Sequence, residues 1–171
     1  MTIRPFIPWP DQRLRSVCDP VETVDDQVRE IWDDMLETMY AMPGVGLAAC
    51  QIGVMQRLAV VDASEQGDKP LRMANPEIID ASLKLREHTE ASPNLVGVSA
   101  KIARPRGVTV TYLDENGVKT RKDLVGLWAT SVQHQIDHLN GKMYFDNLSA
   151  VKRKMLVAKA RKLALKNGRE S

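Results

Sequence analysis

The hydrophobic period changes twice along this chain, and that change limits the layers it can build. Between residues 24 and 42, Val28, Ile31, Trp32, Met35, Leu36, Met39 and Tyr40 recur three and four apart, the spacing of one buried helix face. Thr23 or Asp25 can cap this helix, because each offers a side-chain oxygen to the free N–H groups of a first turn. Met42-Pro43-Gly44 ends it, since proline cannot continue the hydrogen-bond ladder and glycine tolerates a left-handed exit. From about 56 to 125 the runs are short and β-like: Leu58 to Val61, Arg72 to Asn75, Leu83 to His88 and Val108 to Leu113. In the last, Val108, Val110 and Tyr112 alternate with Thr109 and Thr111 before Asn116-Gly117, a strong hairpin signal. Helical spacing returns at about 125–139, with Leu127, Trp128, Val132, Ile136 and Leu139 ahead of an Asn140-Gly141 stop. A second such segment, about 149–166, starts at Ser149 and carries Val151, Met155, Ala158 and Leu163. Strands grouped between helices, with hairpin pairing, predict an α+β fold of antiparallel strands packed on helices.

The chain has 171 residues, 43% hydrophobic and 27% charged, which predicts one domain over 1–171 and excludes a disordered or fibrous chain. No apolar run approaches the roughly 20 residues a bilayer demands. The start, MTIRPFIPWPDQRLR, lacks the apolar core of a signal peptide, so a cytoplasmic protein with no membrane partner is expected. Cys18 and Cys50 are too few for a disulfide framework and not spaced as a metal motif; buried thiols are expected. The net charge of +2 conceals an asymmetry: residues 150–171 hold eight basic side chains against Glu170, a tail of +7 on a body of −5. Such a tail suits an anionic partner or a solvated helix face. Trp32 and Trp128, at helical spacing, are expected in the core.

The chemistry is carried by Gln133-His134-Gln135-Ile136-Asp137-His138. Residues four apart share a helix face, so His134 and His138 can offer two imidazoles to one cation. A lone HxxxH pair also occurs in helices with no metal. The zincin pattern places a glutamate after the first histidine as general base; Gln135 stands there and cannot take a proton.

Gly44-Val45-Gly46-Leu47-Ala48-Ala49-Cys50-Gln51 resembles the first signature of peptide deformylases, GxGLAAxQ, and QHQIDHLNG at 133–141 resembles their third, QHExDHLxG, with one substitution. Asn75-Pro76, the Asn116-Gly117 hairpin and Leu148-Ser149 before a basic last helix extend the likeness from about Arg13 to Lys166. The resemblance implies a deformylase-like fold, with antiparallel strands around a central HxxxH helix and a basic C-terminal helix. It implies a divalent metal, such as iron, nickel or zinc, held by His134 and His138. It implies removal of the formyl group from the N-terminal methionine of a formyl-methionyl peptide or nascent chain. Gln51 matches the glutamine that stabilises the oxyanion, and Val45, Gly46 and Leu47 match the loop that pairs with substrate.

The second signature, EGCLS, departs. Counting back from Gly97-Val98, Glu90-Ala91-Ser92-Pro93-Asn94 stands there. Ser92 replaces the ligand cysteine, and a hydroxyl ionises far less readily than a thiol. Pro93 replaces a residue whose N–H serves the oxyanion, and proline has no N–H. With Gln135 at the base position, the expectation is weak or absent metal binding and impaired or lost deformylation, a pseudoenzyme. Two alternatives remain: an active deformylase or related amide hydrolase with a site rebuilt through Ser92, Glu90 or His88, and a ribosome or nascent-chain binding module acting through the basic helix. Asp137 points roughly 200° round the helix from Gln135 and suits a cap or a salt bridge better than a base.

Overall fold

Asp25, one of the two candidate caps, starts the first helix by accepting the Val28 N–H at 2.9 Å. The computed structural model describes residues 2–170, with side chains as far as Gly168. The helix, α1, spans Asp26–Ala41, and the strands follow as β1 (Gly46–Ala48), β2 (Leu58–Val61), β3 (Leu71–Ala81), β4 (Leu85–Ser92), β5 (Leu95–Pro105), β6 (Gly107–Leu113) and β7 (Lys119–Val125). Helices α2 (Leu127–Leu139) and α3 (Ala150–Glu170) complete the order, with short 3-10 turns at Gln12–Arg15, Ala49–Ile52 and Tyr144–Asn147. Five strands pair antiparallel in the order β1-β2-β3-β6-β7, and β4 pairs with β5 in a second sheet.

The four apolar residues of β2 are all buried because both faces of this strand are covered. Leu58 and Val60 point into a cluster with Trp32, Met35 and Met39 of α1, whereas Val61 joins Ala129, Val132 and Ile136 of α2. Trp128 packs half-buried against that second cluster. A third cluster sets Leu95, Val98 and Ile102 of β5 against Leu14, Tyr144, Phe145 and, from α3, Leu156 and Ala160. Trp32 is wholly buried and donates its indole N–H to the Met73 carbonyl at 3.3 Å. Trp32→Ala is therefore expected to cost about 3–5 kcal/mol, read as a lower urea midpoint with an unchanged slope.

Several expected boundaries move. β3 runs well beyond Arg72–Asn75 because a register shift between Ala74 and Glu77 absorbs Pro76, and Asn75 takes φ 51 there. The strand expected at Leu83–His88 begins at Leu85 and continues to Ser92, leaving Leu83 in the preceding turn, fully exposed. β1, read as a glycine loop, is a three-residue edge strand too short to show a period. β5 was not expected as a strand, and β7 was implied by the hairpin without bounds; β7 buries only Leu124 and turns charged side chains to water, as edge strands commonly do. α3 extends to Glu170 rather than 166. The hairpin stands as expected, with Leu113 paired to Lys119 and Gly117 at φ 73. Among the described residues no helix is long and apolar enough to cross a membrane.

Candidate active site

Helix α2 places two imidazoles against the end of the β4–β5 sheet. His134 and His138, one turn apart, are both buried, and their Nε2 atoms lie 3.1 Å apart. The Nδ1 of His134 meets Glu90 Oε1 at 2.8 Å. Arg104 grips the same carboxylate with two arms, Nε to Oε2 at 2.7 Å and Nη2 to Oε1 at 2.9 Å, and reaches Asp137 with Nη1 at 2.8 Å. Tyr144 lies nearly parallel to the His134 ring, with centroids 6.0 Å apart. Burial alone would raise the Glu90 carboxyl, but the bonds from His134 and Arg104 outweigh it and hold this group below the ordinary carboxylate range. Burial, helped by the nearby His134 and Arg104, pushes the His138 imidazole well below its usual value, so it is neutral at pH 7.

The Nδ1 of His134 therefore carries the proton that faces the Glu90 carboxylate, and its Nε2 faces the Nε2 of His138, whose own buried Nδ1 has no partner.

Beside the histidines a groove of about 520 Å³ opens between the free edge of β1 and the turn joining β4 to β5, lined by Gly46, Gln51, Ser92, Pro93, His134 and Gln135 among others. Val45 also lines it, whereas the Leu47 side chain is wholly buried with α1, so in β1 only the backbone of Leu47 is placed to face a substrate. Ser131 of α2 donates its hydroxyl to the Val45 carbonyl at 3.0 Å. A β-carbon on Gly46 would come within 2.3 Å of Ser131 Oγ and 2.5 Å of Gln135 Nε2, so glycine is what lets α2 approach the strand. Gly46→Ala is expected to cost about 1–3 kcal/mol through overpacking, and adding Ser131→Ala should recover part of the loss in the thermal midpoint. The Oε1 of Gln135 is buried without a partner. Gln51 is held at both ends: its Oε1 accepts the Ala48 N–H at 2.9 Å, and its Nε2 donates to Asn94 Oδ1 at 2.8 Å and to Ser92 Oγ at 3.4 Å.

The sequence model of the polypeptide deformylase family matches residues 3–154. This chain belongs to the peptide deformylase family. It is 43% identical over 170 residues to a peptide deformylase of Rhizobium meliloti, covering 98% of both chains. The peptide deformylase structure from Ehrlichia chaffeensis superimposes with a TM-score of 0.91 at 34% identity, covering 97% of this chain and 99% of that one. The structure from Legionella pneumophila gives 0.90 at 39% identity, covering 98% and 99%.

Peptide deformylases are metal-dependent hydrolases, so the donors here can be tested for fit. The histidine pair fits: bonds of about 2.0–2.1 Å at a tetrahedral angle would put two ligand nitrogens roughly 3.4 Å apart, close to the 3.1 Å found. The third position does not. Ser92 Oγ is an un-ionised hydroxyl engaged with Asn94 Oδ1 at 3.1 Å. Glu90 meets His134 on the nitrogen facing away from His138 and is claimed by Arg104, so it orients the ring instead of joining it as a ligand. Asp137 is a salt-bridge partner of Arg104. His88 lies half-buried on β4 at the groove. Cys50 aims its thiol at the His138 carbonyl, at 3.3 Å, and not at the rings, while Cys18 is also free and buried. Among the described residues no group of three His, Cys, Asp or Glu side chains is arranged to hold one metal ion.

Arg104 and Asn94 are the site residues that sequence reasoning missed. Asn94 stands in the segment aligned with the second signature, but its partner Gln51 is forty-three residues away, and Arg104 lies fourteen residues from Glu90 with no motif to mark it.

Proposed function

We propose that this chain receives the N-terminus of a formyl-methionyl peptide or nascent chain in the groove between β1 and the β4–β5 turn, and hydrolyses it far more slowly than a deformylase with a complete site. The observation that carries this reading is the donor set, two imidazoles beside a hydrogen-bonded serine hydroxyl, with Gln135 buried in the base position. Gln135 can orient a water or accept a peptide N–H at its unpartnered Oε1, but it has no useful proton affinity. A positioned general base contributes typically 10²–10⁴ in rate. Gln51 can donate to a bound carbonyl; Pro93 cannot. The edge of β1 offers backbone groups at Val45 and Gly46 for an extended peptide. Glu90 is committed to Arg104 and His134, so the residues named here leave no free carboxylate for an N-terminal ammonium, which favours a blocked N-terminus.

The test is hydrolysis of a formyl-methionyl tripeptide by the purified protein, supplied anaerobically with iron, nickel, cobalt or zinc. His134→Ala prepared in parallel exposes contaminating host enzyme. Slow turnover, only just above that control, with peptide binding retained, is expected. Stoichiometric metal and brisk turnover would overturn the reading in favour of a rebuilt site.

A second reading concerns α3. Arg15, Arg153, Lys154, Arg161 and Lys162 surround a groove of about 630 Å³ that includes Trp9, a surface suited to ribosomal RNA phosphates. Deleting 152–171 would also remove Leu156 and Ala160 from the core, so charge reversal of Lys154, Arg161 and Lys162 is the cleaner probe. Co-sedimentation with ribosomes should fall with added salt and with the reversal; binding indifferent to both would exclude this surface.

A further inference from the structure

We infer that Asn94 is a positioning residue for Gln51, fixing the plane of its amide so that a single N–H is left to face a ligand in the groove. Asn94 is 4% exposed, at the turn between β4 and β5, and every polar atom of its side chain is in use. Its Nδ2 donates to the carbonyls of Ile7 at 2.6 Å and Gln51 at 3.0 Å. Its Oδ1 accepts from Gln51 Nε2 at 2.8 Å and from the Ser92 hydroxyl at 3.1 Å. The backbone adds to the grip, because the Trp9 N–H donates to the Asn94 carbonyl at 2.8 Å and the Ile7 N–H to the Gln51 carbonyl at 3.0 Å. One asparagine thus ties the N-terminal segment, the turn after β1 and the end of β4 into one polar hub.

For Gln51 the consequence is geometric. A primary amide has two N–H groups and one carbonyl oxygen. The oxygen is held by the Ala48 N–H, and one N–H by Asn94. The other rests on Ser92 Oγ at 3.4 Å, a long and weak bond beside the groove. That N–H is the one a bound carbonyl can take, at the cost of little existing bonding. Without Asn94 the same amide would turn among several orientations, and each contact it made would cost rotamer entropy.

That the incoming group is the carbonyl of a blocked peptide N-terminus rests on the function proposed above; the fixing of the amide does not. The experiment separates the two. Side-chain amide hydrogen exchange is followed by NMR in the full-length protein, with the Gln51 pair of signals assigned by their loss in Gln51→Glu. In the parent chain, one Gln51 Nε2 proton is expected to exchange at least tenfold more slowly than the other. Asn94→Ala should abolish that difference, and Asn94→Ser, a smaller change, should reduce it. Both variants should weaken binding of a formyl-methionyl tripeptide about tenfold with little shift elsewhere in the spectrum, the loss of about 1.4 kcal/mol. Equal, solvent-like exchange of both protons in the parent would overturn the proposal, and needs no variant to fold. Unchanged exchange in a folded Asn94 variant would overturn it as well. A protein that keeps the exchange asymmetry yet binds no peptide would retain Asn94 as the positioning residue and remove the groove's proposed ligand.

Discussion

Ser92→Cys, Pro93→Leu and Gln135→Glu, combined, are expected to raise formyl-methionyl peptide hydrolysis by at least about 10⁴-fold over the parent chain, because a positioned base contributes typically 10²–10⁴ and an oxyanion N–H typically 10²–10³. The surrounding parts are in place to make this possible. The two Nε2 atoms face one another at 3.1 Å, Glu90 and Arg104 hold the His134 ring, and the groove is open beside them. Metal content by elemental analysis should rise to one per chain with Ser92→Cys alone, since a thiolate completes a three-donor set that a hydroxyl does not. Activity should need the glutamate as well. Because the three groups act on one step, their effects should be strongly non-additive, with single reversions nearly silent. A triple variant that takes up metal and folds like the parent but hydrolyses no faster would mean that something other than these three positions limits the reaction.

Arg104→Leu is expected to lower the thermal midpoint by roughly 6–20 °C. Glu90 and Arg104 have side chains only 4% and 7% exposed, and removing one member of a buried ion pair typically costs about 3–5 kcal/mol, with about 2–4 °C lost per kcal/mol in a chain of this size. The deletion would leave the Glu90 carboxylate buried with His134 as its remaining polar partner among the contacts named. It would also free Asp137, which is less buried and can rehydrate. Replacing Glu90 and Arg104 together by apolar residues of similar volume should recover much of the loss, since the penalty is chiefly that of an unpaired buried charge. A double variant no more stable than Arg104→Leu would show instead that the pair acts through packing.

How much was legible depended on range. Helix α1 and its Asp25 cap, the β2 run and the Asn116-Gly117 turn were readable because each rests on spacing within a few residues. β1 was not, being three residues long and defined by pairing with β2 rather than by its own pattern. β7 was implied only by the turn before it: its charged side chains face water, so it carries no alternating apolar signal to mark its bounds. That the Leu47 side chain belongs to the α1 cluster was not legible from the loop motif, which concerns its backbone.

By itself the sequence determined the family, through GVGLAACQ and QHQIDHLNG, the helical spacing that brings His134 and His138 to one face, and the absence of any cysteine after Cys50. Those are properties of residue type and of separations within one element, where backbone geometry alone dictates the outcome. Only the tertiary structure decided that Glu90 orients His134 instead of coordinating a cation, that Asp137 serves Arg104, that Cys50 points at a carbonyl, and that Asn94 holds Gln51. Each of these is a contact between side chains far apart in the chain, or the choice among partners that burial forces on a polar group. That choice is made by whichever donors and acceptors the packed layers bring within reach once water is gone.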